Sequence, residues 1–191
     1  MWLERRYGAE VIWLPYDLHP EYPPEGIPRE RLEDRYGKGF SEHVRRAIEG
    51  AGFDHRPPPR VPRSIRSLEL AELARDEGRY EEVHARLFRA YWSEGRDIGD
   101  TEVLTAVAAD AGLDPDKAGE VLEQGAFAER VEDSSEAAHR IGVNALPAWL
   151  VDGKHLILGA QPHRVFADVL EQLGHARLEG TDADDSGPTA L

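Results

Sequence analysis

The side chains that could carry out chemistry in this chain are histidines, serines and acids, because the sequence of 191 residues contains no cysteine. A thiolate is the nucleophile of disulfide exchange and a common zinc ligand, so disulfides, thiolate metal sites and a cysteine nucleophile are excluded within these residues. The eight histidines form no H-x-H or H-E-x-x-H pair. The sequence therefore predicts no metal site and no cofactor.

The remaining candidates have simpler structural explanations. The segment G-R-D-I-G-D lacks the Lys-Ser/Thr pair of a phosphate-binding loop and precedes a capped helix. Ser64 and Ser67 lie where a helix should begin. Asp182, Asp184 and Asp185 belong to a polar tail and not to a calcium-binding loop. We therefore predict no catalytic residue in the chain.

The most informative pattern is a proline at the entrance to a hairpin. The segment G-V-N-A-L-P, which ends at Pro147, leads into two apolar runs, Ala148–Val151 and His155–Leu158, joined by Asp-Gly-Lys. An Asp-Gly pair between such runs favours a β-hairpin, and proline suits the first position of a strand because it donates no ladder hydrogen bond. A helix should follow, with Pro162 in its first turn. Its core face should comprise Val165, Phe166, Val169, Leu170 and Leu173.

A long helical region precedes this hairpin. Ala9–Tyr16 has the composition of a buried strand, and the turns before it, ending at Gly8, are typical of a helix C-terminus. Between Pro28 and Arg140 the apolar residues follow helical spacing and no strand is predicted. The order of strand, helices, hairpin and helix predicts an α/β fold interrupted by a helical insertion. The helical region contains an amphipathic stripe of Tyr80, Val83, His84, Leu87, Phe88 and Tyr91, and N-caps at Asp100 and at Asp114 before Pro115.

This combination resembles the DsbA-type family of thioredoxin-fold proteins, which includes FrnE-like oxidoreductases and the glutathione-dependent 2-hydroxychromene-2-carboxylate isomerases. The resemblance rests on I-G-V-N-A-L-P-A-W-L-V-D-G-K-H-L-I-L-G-A-Q-P, with support from W-L-P-Y-D-L-H-P-E-Y-P-P-E-G and L-F-R-A-Y-W-S-E-G-R-D-I-G-D, and it extends from about Trp2 to Leu173. It implies a thioredoxin-like α/β fold with a large all-helical insertion. Residues 1–27 and 141–177 would form the core, residues 28–140 the insertion, and residues 178–191 a disordered acidic tail.

The resemblance also implies a substrate-binding site at Ala145, Leu146 and Pro147. In the family the peptide bond before this proline is cis, and the free backbone N–H and C=O groups of the preceding residue bind an extended peptide or glutathione as an added strand. Leu146 would supply that backbone pair, with Pro147 beside the reactive centre. The expected partner is therefore a thiol or an extended peptide.

The chain departs from the family where the family's chemistry resides. The family carries a C-x-x-C pair, or a serine in the isomerases, at the start of a first helix that follows a first strand. This sequence contains neither that strand nor that loop, which together with most of the helix would take about 20–30 residues. We expect a coding sequence assigned a late start, because a missing central strand would expose its neighbours; a genuine pseudoenzyme is the alternative.

Three functions stay open on these grounds. The first is a FrnE-like thiol–disulfide oxidoreductase that lacks its reactive pair and is not redox-active without it. The second is a glutathione-dependent isomerase of the chromene-carboxylate type, although Arg63 and Leu68 replace the Asn and His that family members often carry in the insertion. The third is a non-catalytic module that binds extended peptides.

Charge and hydropathy limit the classes of partner and the cellular compartment that we expect. The net charge of −14 repels nucleic acids and anionic lipid surfaces. No apolar run approaches the roughly 20 residues of a membrane-spanning helix, and no export signal is visible. We expect a cytoplasmic protein that binds neither nucleic acid nor membrane. Pairing of two copies through the uncovered sheet edge, to give a homodimer, is a further alternative.

Overall fold

The structure is a computed structural model that describes residues 1–178. The predicted acidic tail lies, from residue 179 onward, outside the described residues. Most of the described chain is helical, and its four strands are short. In chain order the elements are α1 (Trp2–Tyr7), β1 (Ile27–Pro28), α2 (Arg31–Tyr36), α3 (Phe40–Gly50), β2 (Arg60–Val61), α4 (Ile65–Asp76), α5 (Tyr80–Trp92), α6 (Thr101–Asp110), α7 (Pro115–Gln124), α8 (Ala128–Arg140), β3 (Ala148–Val151), β4 (His155–Leu158) and α9 (His163–Gln172).

The chain forms two compact units. The helical unit contains residues 15–137, and the hairpin unit contains residues 1–14 together with the chain from residue 138 onward. Their charges differ sharply. The helical unit has 28 acidic and 17 basic residues, whereas the described part of the hairpin unit has five acidic and six basic residues. The acidity of the chain therefore resides mainly in the helical unit.

The core of the helical unit is built by α4, α5, α6 and α7. The predicted stripe of α5 is confirmed: Val83 and Leu87 are buried, and the flanking aromatic residues are half-buried. Each fully buried leucine or valine side chain stabilises the unit by about 1.5–3 kcal/mol relative to an exposed one. The cluster comprises Leu70, Ala71, Leu73, Ala74, Val83, Leu87, Ala90, Leu104, Val107, Ala108, Ala111, Leu113, Ala118 and Leu122.

Two helices of this unit begin at the predicted aspartates. The carboxylate of Asp100 accepts hydrogen bonds from the N–H groups of Glu102 and Val103, at 2.7 and 3.3 Å. The carboxylate of Asp114 accepts in the same way from the two residues that follow Pro115. Both aspartates satisfy backbone donors that have no partner within the helix, so these two predictions are confirmed.

The expectation that no strand occurs between residues 28 and 140 is wrong. Strands β1 and β2 form a short antiparallel pair. The guanidinium of Arg60 reinforces it by donating to the carbonyl oxygens of Glu25 and Gly26, and the N–H of Arg29 donates to the carbonyl of Pro59. Each strand has only two residues beside a proline-rich loop, which is too short to produce a periodic sequence pattern.

The hairpin unit consists of α1, the β3–β4 hairpin and α9. The predicted hairpin is confirmed, with Trp149 opposite Ile157 and Leu150 opposite Leu156. The predicted core face of α9 packs against it, with Phe166 fully buried. Pro162 lies at the N-cap of α9 and not in its first turn, because its ψ of 152° is extended. The buried cluster comprises Trp2, Leu3, Ile157, Phe166, Ala167 and Leu170.

The prediction of a buried strand at Ala9–Tyr16 is wrong. Its side chains alternate between half-buried and exposed from residue 9 to residue 14, but the segment belongs to no sheet. Residues 9, 11 and 13 are half-buried, whereas Ile12 and Leu14 are 66% and 72% exposed. A strand is defined by hydrogen bonds to a neighbour, and no strand of the described residues pairs with this segment.

Candidate functional site

The predicted site residues lie together on the loop that enters β3. The peptide bond between Leu146 and Pro147 is cis, the isomer that the resemblance implies. The carbonyl oxygen of Pro147 accepts a hydrogen bond of 2.8 Å from the N–H of Gly159. The side chain of Leu146 is 47% exposed. Within residues 1–178, no hydrogen-bond partner is found for the backbone N–H and C=O groups of Leu146.

The register of the hairpin shows which other backbone groups face away from β4. In an antiparallel pair, hydrogen-bonded and non-hydrogen-bonded residue pairs alternate. The bond from Gly159 to Pro147 makes these two residues a bonded pair, so Ala148 opposite Leu158 is a non-bonded pair. By the same alternation Leu150 is also in a non-bonded pair. Ala148 and Leu150 therefore direct their N–H and C=O groups away from β4.

A contact on the other strand supports this assignment. The side-chain amide of Gln161 donates to the carbonyl oxygen of Leu158 at 2.9 Å. That carbonyl is consequently turned away from β3, as a residue of a non-bonded pair requires. Among the described residues, β3 pairs with β4 alone. We call the outward backbone groups of Leu146, Ala148 and Leu150 the open edge.

The two faces of β3 differ in character. Trp149 and Val151 pack on the core of the hairpin unit, and the Trp149 ring meets the ring of Phe166 at 5.5 Å with an interplanar angle of 85°. Leu150 points to the opposite face and is 51% exposed. The open edge thus combines unpaired backbone groups with apolar side chains that solvent reaches.

The segment from Ala9 to Leu14 lies over the same core, and we call it the outer segment. Its half-buried Val11 packs against the same buried cluster as Trp149 does. The rings of Trp13 and Trp149 are 5.5 Å apart. Since successive side chains of an extended chain point to opposite faces, Ile12 and Leu14 lie on the face opposite this core, as Leu150 does.

The open edge carries no group suited to acid–base or nucleophilic chemistry. None of the residues from Ala145 to Leu150 has an ionisable or hydroxyl side chain. Ser67, which the sequence places near a helix start, donates its hydroxyl to the carbonyl of Ser64 at 2.7 Å and is buried in α4. Within residues 1–178 no group of three or more His, Asp or Glu side chains could hold a metal ion. The arrangement offers backbone hydrogen-bonding groups, and the residues from Ala145 to Leu150 carry no reactive side chain.

The groups with shifted pKa values belong to the helical unit. Burial raises the pKa of Glu69 and lowers the pKa of His84. Glu69 accepts a hydrogen bond from the backbone N–H of Phe127, just before α8, so it caps a helix. The ring of His84 lies between Tyr80 and Phe88, at 5.5 and 4.7 Å. Both groups therefore have structural partners.

Sequence reasoning found only part of this site. It named Ala145, Leu146 and Pro147 through a family resemblance, but it missed the outward groups of Ala148 and Leu150. The Asp-Gly turn fixes the hairpin register, so it was the signal that could have identified them. The exposure of Ile12 and Leu14 was also missed, because the whole run was interpreted as buried.

Comparison with known proteins adds three findings. Residues 2–171 match the model of the DsbA-like thioredoxin domain family. The chain is 26% identical over 161 residues to YwbO, an uncharacterized protein of Bacillus subtilis (strain 168), covering 83% of this chain and 79% of that protein. It is also similar to the crystal structure of a "probable DsbA oxidoreductase" from Streptomyces coelicolor, with 25% identity, a TM-score of 0.78 and coverage of 96% of this chain and 86% of that one. No helix within residues 1–178 is long and apolar enough to cross a bilayer.

Proposed function

Because the chain belongs to the DsbA-like thioredoxin domain family, we propose that it serves the oxidoreductase branch of that family by binding the polypeptide substrate. The described residues hold an extended polypeptide on the open edge and contribute no reactive sulfur. The similarity to a chain titled a probable DsbA oxidoreductase supports this branch. The observation that carries the proposal is the pair of Leu146 backbone groups without a hydrogen-bond partner among the described residues.

The open edge has the chemistry of a strand-addition site. An extended peptide laid beside β3 would pair with the N–H and C=O groups of Leu146, Ala148 and Leu150. Each such bond contributes a net 0.5–1.5 kcal/mol, so the six groups together contribute about 3–9 kcal/mol, from which the cost of association is subtracted. The half-exposed Leu146 and Leu150 offer apolar contacts to alternate side chains of the peptide.

The lack of cysteine sets a limit on this function. Thiol–disulfide exchange requires a thiolate to attack a disulfide sulfur, and none of the 191 residues can provide one. The 191-residue chain should therefore leave the rate of insulin reduction by dithiothreitol unchanged. Any clear acceleration would contradict the proposed division between substrate binding and sulfur chemistry.

The binding role is tested by the variant Ala148→Pro. The N–H of Ala148 faces away from β4, so proline removes a group of the open edge without removing a bond of the hairpin. Titration calorimetry with reduced, carboxymethylated insulin B chain should show affinity for the wild-type protein and a roughly tenfold loss for Ala148→Pro, about the effect of one lost hydrogen bond.

The matched control is Ala148→Val, which adds a branched side chain of similar size but keeps the N–H. Its affinity should stay within about twofold of the wild type, since no hydrogen bond is lost. Equal affinity of Ala148→Pro and wild type would refute strand addition at this edge. Absence of binding by the wild-type protein would refute the proposed function itself.

A further inference from the structure

A positively charged segment lies within the acidic helical unit. From His55 to Leu68 the chain contains four arginines and neither aspartate nor glutamate, whereas the unit as a whole has 28 acidic and 17 basic residues. We call residues 56–66 the arginine strip. It runs from the proline-rich loop after α3 through β2 into the first turn of α4. A local concentration of one charge attracts groups of the opposite charge.

Three arginines of the strip have no carboxylate partner among residues 1–178. The guanidinium of Arg60 donates to two backbone carbonyl oxygens just before β1, at 2.8 and 2.6 Å. The guanidinium of Arg66 donates to the hydroxyl of Thr101 at 2.8 Å. The Nε of Arg63 is buried and has no hydrogen-bond partner in this part of the chain. The positive charge of these three side chains is therefore not neutralised by an acid of the described residues.

The neutral acceptors hold these guanidinium groups in place without cancelling their charge. Arg29, beside the strip, is held in the same way: its Nε donates to the carbonyl of Pro58 at 2.8 Å, and its guanidinium lies 5.4 Å from the ring centre of Tyr91. A free arginine side chain loses conformational entropy when it binds a ligand. That cost is smaller for a side chain that is already fixed, so the strip is preorganised for an anionic ligand.

The backbone of the strip is also held in place. Pro62 is buried, and its neighbours Gly26 and Gly99 approach closely; a Cβ on Gly26 would lie only 2.2 Å from a carbonyl oxygen of β2. A strand is extended, and the residue before a proline favours the extended conformation as well. The Cα atoms of Arg60 and Arg63 are consequently about 10 Å apart, the length of three extended residues.

We propose that the arginine strip binds an acidic segment of a partner polypeptide, in an extended conformation, with carboxylates three residues apart. In such a segment the Cα atoms of the two acidic residues are also about 10 Å apart, which matches the spacing of Arg60 and Arg63. Each guanidinium can bind a carboxylate through two parallel hydrogen bonds. This interaction goes beyond substrate binding at the open edge and does not depend on it.

Other anions fit the strip less well. A nucleic acid extends beyond the strip, where the acidic surface of the helical unit repels its phosphates. Sites for single strands also present aromatic rings on which bases stack, but the rings of Tyr91 and Trp92 beside the strip already stack with Arg29 and His55. A single inorganic phosphate is too small to fill a span of about 10 Å.

Two peptides of equal length test the proposal. One has glutamate at every third position of a glycine-serine sequence, and the other has glutamine at those positions. At low ionic strength the wild-type protein should bind the glutamate peptide roughly tenfold more tightly, because only carboxylates form charge-assisted bonds with guanidinium groups. Added sodium chloride should reduce this preference by screening the exposed charges. In nuclear magnetic resonance spectra of the wild-type protein, the glutamate peptide should shift the amide signals of residues 60–67 and leave those of α7 unchanged.

The double variant Arg63→Gln, Arg66→Gln removes two charges of the strip and should lose most of the roughly tenfold preference for the glutamate peptide. The matched control is Arg86→Gln, Arg89→Gln. It changes the net charge by the same amount at two exposed arginines of α5, outside the strip, and should keep the preference. Comparison of the two variants separates binding at the strip from the general effect of net charge.

Several results would overturn the inference. The wild-type protein could bind both peptides equally or not at all, the amide signals of the strip could stay unshifted, or the strip variant could keep the preference as the control does. Displacement of the glutamate peptide by inorganic phosphate at constant ionic strength would instead indicate a site for one small anion. Tighter binding of single-stranded oligothymidylate would indicate a nucleic-acid site. None of these results bears on the open edge, which the insulin B chain titration tests separately.

Discussion

The helical unit and the hairpin unit differ in how completely they cover their apolar side chains. In the helical unit, α4 to α7 bury residues such as Leu70, Val83 and Leu104 entirely. In the hairpin unit one face of β3 and β4 packs on helices, whereas Leu150 on the other face is 51% exposed. Of the seven exposed large hydrophobic residues in the described chain, six belong to the hairpin unit. They are Ile12, Leu14, Ile141, Leu146, Leu150 and Leu178.

The difference follows from how each kind of element satisfies its backbone. A helix forms its hydrogen bonds within itself, so a set of helices can close a core with the residues it contains. A strand needs a neighbour on each side, and a two-stranded sheet leaves two edges without one. The helical unit therefore closes its own core, whereas the hairpin leaves the outward backbone groups of β3 without a partner strand among residues 1–178.

The largest expected effect contrasts a core leucine with an edge leucine. Leu70→Ala should lower the free energy of unfolding by about 2–5 kcal/mol, because it removes a fully buried side chain and leaves a cavity. Leu150→Ala should lower it by less than about 1 kcal/mol, since half of that side chain is already in solvent. Urea unfolding of both variants measures the difference, and similar losses would contradict the comparison.

Hydrogen exchange within β3 sharpens the comparison at the level of single amides. The N–H groups of Trp149 and Val151 bond to β4, whereas those of Ala148 and Leu150 face the open edge. The amides of Ala148 and Leu150 should exchange at least roughly tenfold faster than the other two, a ratio that corresponds to about one hydrogen bond. Uniform protection along β3 would show that the edge is covered in solution.

A helix cap provides a smaller effect in the helical unit. Asp100→Ala removes the acceptor for two N–H groups of α6 and should destabilise the protein by about 1 kcal/mol. Ser64→Ala is the control, because Ser64 occupies the N-cap of α4 but makes no capping hydrogen bond. Its effect should stay within about 0.5 kcal/mol in urea unfolding. Equal losses would mean that the cap of α6 does not form.

The smallest effect concerns Glu69, whose pKa burial raises. Between the ordinary carboxyl pKa and this raised value the folded protein binds more protons than the unfolded chain, so stability decreases as pH rises through that interval. Glu69→Gln removes this dependence while keeping an oxygen that can accept from Phe127. The stability of the variant relative to wild type should therefore increase from pH 4 to pH 7, with the exposed Glu123→Gln as control. A constant difference would refute the raised pKa.

The sequence predicted the elements whose causes are local. The caps at Asp100 and Asp114 and the turn at Asp152-Gly153 depend on residues within one or two turns of the chain, and all three were found. The strand expected at Ala9–Tyr16 needs a distant neighbour, and its composition carries no information on whether one exists. The β1–β2 pair depends on Arg60 reaching carbonyl oxygens about 35 residues away, a contact that no local pattern indicates.

The candidate site likewise contains residues that the sequence could identify and residues that it could not. Leu146 and Pro147 were accessible through the family resemblance, and Ala148 and Leu150 could have been deduced from the turn that fixes the register. The exposure of Ile12 and Leu14 could not be predicted, because a continuous apolar run such as residues 11–14 does not show which of its faces another element covers.

The contact between Trp13 and Trp149 has an optical consequence. Two indole rings with centroids 5.5 Å apart and planes inclined at 57° are close enough for their strong far-ultraviolet transitions to couple, which gives paired bands of opposite sign in the circular dichroism spectrum. Both rings of this pair belong to the hairpin unit, so the paired bands report on this unit. A change that separates the two rings would abolish the paired bands, and circular dichroism would detect that change without an added label.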